Sequence, residues 1–294
     1  MIAGLVATGL LAAGLLTIGP GPAAAADSSW STVGPGGGGA FNSPCLTDTA
    51  WVVGSDLGGL SWSADQGASW RQIGASAGLT DTHVSATVCL ADGRVVVGTQ
   101  SGLYVVDAGG ASGVPATITD GSTPYVAALV QSADPSVLYA AVHPTWDALD
   151  PSLLRSSDGG ETWVPMPGAG LPALRRVVAL RTHPVDADAV VVVTGNGRFQ
   201  PEDHPGALPR EAWLTTDGGG TFARLDPAQG GVVDVVYSGD PDHLDQMFLT
   251  SRTTGLWRSD DAGGTWSHLA DRTGVFLPSP VVGRLRLMDA ERAT

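Results

Sequence analysis

Carboxylates and aromatic side chains cluster in a few loops of this chain, and these residue types could bind or cleave a sugar polymer. Asp56 lies in the first such loop, 54–59. Two longer loops, 143–151 and 195–211, carry the other relevant carboxylates, which are Asp147, Asp150, Glu202 and Asp203. Glycosidic hydrolysis uses two carboxyl groups flanking the bond, one of them protonated. Asp56 is therefore the candidate base, and the other four are candidate acids.

The two longer loops also hold side chains suited to binding sugar rings. These candidates are Trp146, Arg198, Phe199 and His204. A sugar ring stacks its apolar face on an aromatic ring and hydrogen-bonds through its edge. The alternative is that these are solvated turn residues, capped by their own side chains.

A repeated turn sets the spacing of these loops. Four segments match S/T-x-D-x-G-x-S/T-aromatic, at 63–70, 156–163, 215–222 and 259–266, and a fifth around residue 107 keeps only the Asp and the Gly. We call them Asp-box turns, and their aspartates are Asp65, Asp107, Asp158, Asp217 and Asp261. Each carboxylate is expected to accept hydrogen bonds from its own turn. We interpret these aspartates as structural and not as catalytic.

The turns recur at steps of 42, 51, 59 and 44 residues, which is the spacing of propeller blades. Short apolar strands surround each turn, so the sequence predicts an all-β fold: a β-propeller of four-stranded antiparallel blades with Asp-box turns. We expect five full blades plus an incomplete one, because residues 280–294 resemble a lone first strand. Residues 27–294 would form this propeller, which is either truncated at its C-terminus or closed by association with another chain. The loops between second and third strands, which carry the candidate site, should lie opposite the Asp-box turns.

The N-terminus predicts export. Residues 2–18 are apolar and a small-residue stretch ends at Ala26, so residues 1–26 are interpreted as a signal peptide of a secreted or extracytoplasmic protein. An upstream start, or retention as an anchor, are the alternatives. An oxidising compartment permits a Cys45–Cys89 disulfide. The two cysteines occupy equivalent repeat positions, however, one blade step apart, and such a step can exceed the Cα distance that a bridge spans. Pairing stays open, and we favour two small core residues.

Charge and composition exclude several partners. The net charge is −14 and the 15 basic residues are all Arg, so nucleic acid and anionic membrane surfaces are disfavoured, with no membrane contact beyond the signal segment. The six histidines show no metal-ligand spacing. We expect no cofactor and no metal. The expected partner is a polysaccharide or oligosaccharide, or a protein ligand.

The opening of the chain resembles a known family. Residues 30–33 (WSTV), 36–41 (GGGGAF) and 53–59 (VGSDLGG) resemble the start of xyloglucanase-type, two-propeller glycoside hydrolases. The Asp-box (BNR-repeat) propeller superfamily, with sortilin-like and sialidase propellers, shares the turns. The resemblance implies that Asp56 is the catalytic base, with the acid in a second propeller that has no counterpart here. It implies a glycan-directed protein that hydrolyses β-glucans. The alternative is a non-catalytic binding or assembly propeller of sortilin-like type.

Overall fold

The computed structural model describes residues 39–148, 150–172, 176–195, 210–225 and 231–270, and within them it is an all-β propeller fold. The predicted all-β propeller class is thereby confirmed, whereas the predicted count of five blades plus an incomplete one stays a prediction. Five sheets follow one another along the described chain, and each is built on four antiparallel strands. The first holds β1 (Phe41–Leu46), β2 (Trp51–Ser55), β3 (Gly59–Ser63) and β4 (Arg71–Ile73); the second holds β5 (Val84–Cys89), β6 (Val95–Thr99), β7 (Gly102–Val106) and β8 (Gly113–Pro115). The third holds β9 (Thr117–Ile118), β10 (Tyr125–Gln131), β11 (Leu138–His143), β12 (Ser152–Ser156) and β13 (Thr162–Pro165). The fourth holds β14 (Arg176–Thr182), β15 (Val190–Gly195), β16 (Glu211–Thr215) and β17 (Ala223–Arg224), and the fifth holds β18 (Val232–Tyr237), β19 (Met247–Ser251), β20 (Gly255–Ser259) and β21 (Ser267–Ala270).

Short 3-10 structure at Ala75–Ala77 is the helical element of the described chain. None of the residues described forms a helix with the length and apolar character that a bilayer crossing needs. The predicted signal segment 1–26 and the predicted partial blade at 280–294 lie outside the described residues.

The core lies in layers between consecutive sheets. Strands β6, β11 and β15 are buried along their whole length, because a middle strand in a stack of sheets is covered on both faces. One apolar layer joins the first and second sheets around Leu60 and Val97. Equivalent layers follow between each next pair of sheets. Continuous Val and Ala runs in these strands are what such two-sided burial requires.

The first strands of successive sheets contact one another, and side chains link them. The Ser43 hydroxyl donates to the Ser85 carbonyl at 3.1 Å, and the Ser85 hydroxyl donates to the Val126 carbonyl at 2.6 Å. Between β14 and β18, the Arg181 guanidinium donates to the buried Asp234 carboxylate at 2.7 Å. All five first strands also carry a register shift near their start. These bulges bend the strands where they meet.

Cys45 and Cys89 form a disulfide, so the interpretation favoured from the sequence, two unpaired core residues, was wrong. They occupy the ends of β1 and β5, and their Cα atoms are 6.0 Å apart. Equivalent positions on middle or outer strands would be further apart. The first strands of neighbouring blades converge, and this brings the two cysteines within bridging distance.

The segments between sheets run beside the outer strand of the sheet that follows. Strand β9 pairs in parallel with β13, and Ala169 bridges Thr221 in the same way. Gly78 and Gly170 are the tightest points, with φ of +92° and +95°. A Cβ on Gly78 would lie 2.2 Å from the Gly113 carbonyl oxygen, and glycine is therefore required there.

Candidate functional site

The Asp-box turns are built by their own carboxylates. Asp65 accepts hydrogen bonds from the Ser69 amide at 2.8 Å, from the Ser69 hydroxyl at 2.6 Å and from the Ser63 hydroxyl at 2.7 Å. The Ser63 hydroxyl in turn accepts the Gly67 amide at 2.8 Å, and the Trp70 indole donates to the Gly67 carbonyl at 3.1 Å. The same bonds surround Asp158, Asp217 and Asp261. Asp107 has no hydroxyl two residues before it, and it accepts the Ala111 amide and the Ser112 hydroxyl.

These bonds hold the carboxylates in their ionised form. The Ser69 hydroxyl, followed by the Ser69 amide, lowers the pKa of Asp65 to about 2. Hydrogen bonds within the turn likewise lower the pKa of Asp107, Asp217 and Asp261. In Asp158 partial burial acts to raise the pKa, but the hydrogen bonds outweigh it and the pKa is lowered. A carboxylate that is so strongly held as an anion is poorly suited to protonate a leaving group.

The opposite ends of the sheets carry a second repeated turn, between the second and third strands. Ser55, Thr99 and Ser251 end β2, β6 and β19, and each hydroxyl accepts amides from the residues just after it. The next residue donates its amide to the chain just before the first strand, as Gln100 does to His83 at 3.1 Å. The same position is Asp56 in the first sheet and His143 in the third, so equivalent polar residues share this face.

A groove of about 660 Å³ opens on this face between the second and third sheets, and we call it the Trp146 groove. Its walls are the segment before β5, the β6–β7 turn, the segment before β10 and the β11–β12 turn. It is lined by Thr80, Asp81, Thr82, Gln100, Ser101, Thr123, Pro144, Thr145, Trp146 and Asp147. Trp146 is 50 % exposed and is the aromatic surface of the groove.

Two carboxylates in the groove are fixed by hydroxyl groups. Asp81 accepts the Ser101 hydroxyl at 2.5 Å and the His83 amide at 2.9 Å. Partial burial acts to raise the pKa of Asp81, but these bonds outweigh it and the pKa is lowered. The Thr145 hydroxyl donates to Asp147 at 2.6 Å and lowers the pKa of that carboxyl. Both groups are therefore anionic acceptors at neutral pH.

Trp146 is held from the neighbouring sheet. The Arg176 guanidinium, at the start of β14, donates a hydrogen bond to the Trp146 carbonyl. The same guanidinium lies 6.0 Å from the centre of the Tyr125 ring. Ala148 also donates its amide to the Thr145 carbonyl at 3.2 Å, which closes the turn around Trp146. The indole is thus presented to solvent on a braced turn.

A second cavity of about 500 Å³ adjoins the groove and shares Thr123 and Pro144 with it. We call it the His143 cavity. It is lined by Asp120, Ser122, Thr123, Pro124, Val142, His143, Pro144, Asp150, Pro151, Ser152 and Leu154. His143 ends β11 and is fully buried. Burial, followed by the positive charge of Arg176, lowers the pKa of His143 to about 4, so the imidazole is neutral at pH 7.

Asp56 lies apart from both cavities. Its carboxylate accepts the Ala40 amide at 2.7 Å, and its own amide donates to the Ala40 carbonyl at 3.2 Å. A Cβ on Gly39 would lie 2.0 Å from the Asp56 carboxylate. Asp56 therefore anchors the chain that enters β1, and it lines neither the Trp146 groove nor the His143 cavity.

The structure separates the candidate residues that it describes. Asp147 and Trp146 line the groove, whereas Asp150 lines the neighbouring cavity. Five further candidates lie outside the described residues, namely Arg198, Phe199, Glu202, Asp203 and His204. In the ranges that the structure does describe, no three His, Cys, Asp or Glu side chains are grouped to hold a metal ion.

Sequence reasoning missed Asp81, Gln100 and Ser101, because they lie in short segments outside the three loops that the sequence singles out. A signal was available: the Ser or Thr that ends a second strand, followed by a Gly-containing turn, recurs at 55, 99 and 251.

No family model matches the chain, and no curated protein matches it in sequence. Solved structures do match. The GH74 enzyme of Niastella koreensis superposes with a TM-score of 0.57 at 14% identity, over 77% of this chain and 37% of that one. The GH74 xyloglucanase of Xanthomonas campestris gives 0.51 at 19% identity, over 76% of this chain and 36% of that one. YCF48 bound to D1 peptide gives 0.53 at 17% identity, over 77% and 65%.

The chain thus spans little more than a third of the two GH74 enzymes. Identities this low support a shared propeller fold and nothing finer. The same fold serves an enzyme that acts on a polysaccharide and a protein that binds a peptide, so function has to be argued from the site.

Proposed function

We propose that this protein is an exported, glycan-binding propeller whose Trp146 groove binds a neutral oligosaccharide. The observation that carries the proposal is a half-exposed indole on a braced turn, above a groove of hydroxyl, amide and carboxylate groups. A pyranose ring can stack its C–H face on Trp146. Its hydroxyls can then donate to Asp81 and Asp147, and can exchange hydrogen bonds with Gln100.

Charge narrows the ligand class. Asp81 and Asp147 are both anionic at neutral pH, because hydrogen bonds lower the pKa of each. The whole chain carries a net charge of −14. Anionic polymers, such as uronate-rich or sulfated glycans, would be repelled. A neutral glucan or hemicellulose chain fits the groove better.

Binding is favoured over hydrolysis by the same carboxylates. A glycosidase needs one carboxyl group whose pKa is raised, so that it is protonated at working pH. Asp147, the candidate acid in the groove, has a lowered pKa. Hydrolysis by a xyloglucanase-type mechanism would need Asp56 as base with an acid such as Glu202 or Asp203 facing it. Asp56 is engaged with Ala40.

Export and family placement belong to the proposal too. A Cys45–Cys89 disulfide is the kind of bond that persists in an oxidising compartment, which supports residues 1–26 acting as a signal peptide. The hydrogen-bonded turns at Asp65 and its equivalents support a place in the Asp-box superfamily. The second candidate function is that of a peptide-binding propeller, which the fold shared with YCF48 bound to D1 peptide supports.

The test is isothermal titration of the full chain with neutral β-glucan and xyloglucan oligosaccharides. A sugar that covers roughly 50 Å² of apolar indole surface contributes about 1.3 kcal/mol, so Trp146→Ala should weaken binding roughly tenfold. Val185→Ala is the matched control, because Val185 is 61% exposed and lies in the turn that joins β14 to β15. If no oligosaccharide binds, or if the two variants bind alike, the groove is not a glycan site.

A further inference from the structure

The lining of the Trp146 groove carries charge of one sign. Asp81 and Asp147 line it, and both carboxylates are anionic at neutral pH. Among the described residues that line the groove, none is a lysine, an arginine or a histidine. Arg176 holds the turn through the Trp146 carbonyl and lies beside the Tyr125 ring, but it does not belong to the lining. A ligand therefore meets two negative charges on this surface.

The two carboxylates differ in how strongly they can attract a cation. Asp81 is half-buried, whereas Asp147 is exposed. The Asp81 oxygens accept the His83 amide and the Ser101 hydroxyl, one bond at each oxygen, and a carboxylate oxygen can accept a second hydrogen bond. Water and salt screen a half-buried charge less than an exposed one. We therefore expect Asp81 to contribute more than Asp147 to any selection by charge.

The rest of the lining decides which kind of cation fits. A metal ion is disfavoured, because no three His, Cys, Asp or Glu side chains are grouped to hold one in the part of the chain that the structure describes. The half-exposed Trp146 indole attracts an ammonium group as well as the C–H face of a sugar. Thr80, Thr82 and Gln100 add hydroxyl and amide groups. A polyhydroxylated ring can use these groups, whereas the lysine side chain of a peptide has only its ammonium group to offer.

We propose that the Trp146 groove prefers a sugar unit that carries a protonated amino group, such as glucosamine, over the uncharged unit of the same shape. The pyranose ring stacks on Trp146, and its ammonium group donates to the Asp81 carboxylate. The inference rests on the proposed function, since both need the same ring to stack on the same indole. Neutral oligosaccharides remain ligands of the groove, and oligosaccharides with amino groups bind it more tightly. Asp81 is then the residue that determines this specificity.

The experiment compares β-linked tetrasaccharides of glucose, glucosamine and N-acetylglucosamine, which differ only in a hydroxyl, an ammonium or an amide group at the same carbon. Isothermal titration of the full chain measures each affinity at a pH that keeps the amine protonated, at low and at high salt. The variants are Asp81→Asn, Asp147→Asn and Trp146→Ala. Asp48→Asn is the matched control, because Asp48 is exposed and does not line the groove. The glucose tetrasaccharide reports whether the groove is intact in each Asp→Asn variant.

We expect the wild type to bind the glucosamine tetrasaccharide at least about fivefold more tightly than the glucose one, because a charge-assisted hydrogen bond is roughly twice as strong as a neutral one. The N-acetylated tetrasaccharide should show no such gain, and high salt should reduce it. Asp81→Asn should remove most of the gain, Asp147→Asn a smaller part and Asp48→Asn none, while all three keep the glucose affinity of the wild type.

Equal wild-type affinity for the glucose and glucosamine tetrasaccharides, with glucose binding that Trp146→Ala weakens, would overturn this inference and leave the proposed function standing. A gain that survives Asp81→Asn, or that Asp48→Asn lowers as much, would belong to the charge of the whole chain and would also overturn the inference. Tighter binding of a lysine-rich peptide of the same charge would assign the groove to protein ligands and overturn both proposals. Binding of none of the tetrasaccharides would likewise overturn both.

Discussion

Removing the disulfide is the sharpest test of how neighbouring blades are joined. The perturbation is the double substitution Cys45→Ala/Cys89→Ala, which cuts the covalent link between β1 and β5. The bridged residues are 44 positions apart. For a loop of that length, the entropy that the bridge removes from the unfolded chain corresponds to about 4 kcal/mol at room temperature. Alanine retains a small apolar group in the layer where both cysteines pack.

The assay is urea unfolding of wild type and variant, monitored by tryptophan fluorescence, each with and without reductant. We expect the double variant to lose roughly 2–4 kcal/mol of unfolding free energy. Reductant should reduce the wild type to the same level, and it should leave the variant unchanged, which is the internal control. A loss below about 1 kcal/mol, or a wild type insensitive to reductant at every urea concentration, would refute the argument that the first strands converge enough to be cross-linked.

Three further outcomes follow from the packing and the turns. Arg181→Met should lower the free energy of unfolding in urea by about 3–5 kcal/mol, because it leaves the buried Asp234 carboxylate without its ion-pair partner. The double variant Arg181→Met/Asp234→Leu should regain most of that loss, and a double variant as unstable as the single one would contradict this reasoning. Gly78→Ala should destabilise by at least ~2 kcal/mol, through its left-handed φ and the Gly113 carbonyl, whereas Gly121→Ala, also at positive φ but in open space, should cost less. The pKa of Asp65 is lowered to about 2 in the folded state, so the stabilising contribution of its carboxylate is present above pH ~4 and is lost as the pH falls towards 2. The free energy of unfolding of Asp65→Asn should therefore change less than that of the wild type over this pH window. Identical pH profiles of the two proteins would count against this role of Asp65.

The sequence was sufficient to predict the four-stranded sheets, because the Asp-box turns and the apolar strand patterns are both local signals. The side-chain hydrogen bonds of the Asp-box aspartates are made within their own turns, as Asp65 bonds to Ser63 and Ser69. Strand burial follows from runs such as 190–193, where valines fill both faces. Interactions between residues that lie within about a dozen positions of one another can be predicted from the local sequence pattern.

The site was predicted only in part, because it depends on what different blades bring together. Trp146 and Asp147 were predicted, because they lie in a loop whose length is visible in the sequence. Asp81 and Ser101 come from two different segments and meet only through a hydrogen bond of 2.5 Å. The prediction for Cys45 and Cys89 was wrong for the same reason. Distance between blades depends on how far a residue lies from the centre of the fold, and repeat spacing does not report that distance.

The segments that run beside β13 and Thr221 have a consequence for how the molecule is made. In each case the outer edge of a sheet is covered by chain that was synthesised before that sheet. A newly finished blade therefore meets its cover at once, and does not wait for later residues to arrive. Exposed strand edges are templates for aggregation. As the chain emerges from a ribosome or a translocation channel, the outer strand of each of these sheets can therefore pair with a segment that has already emerged, and its edge is not left exposed.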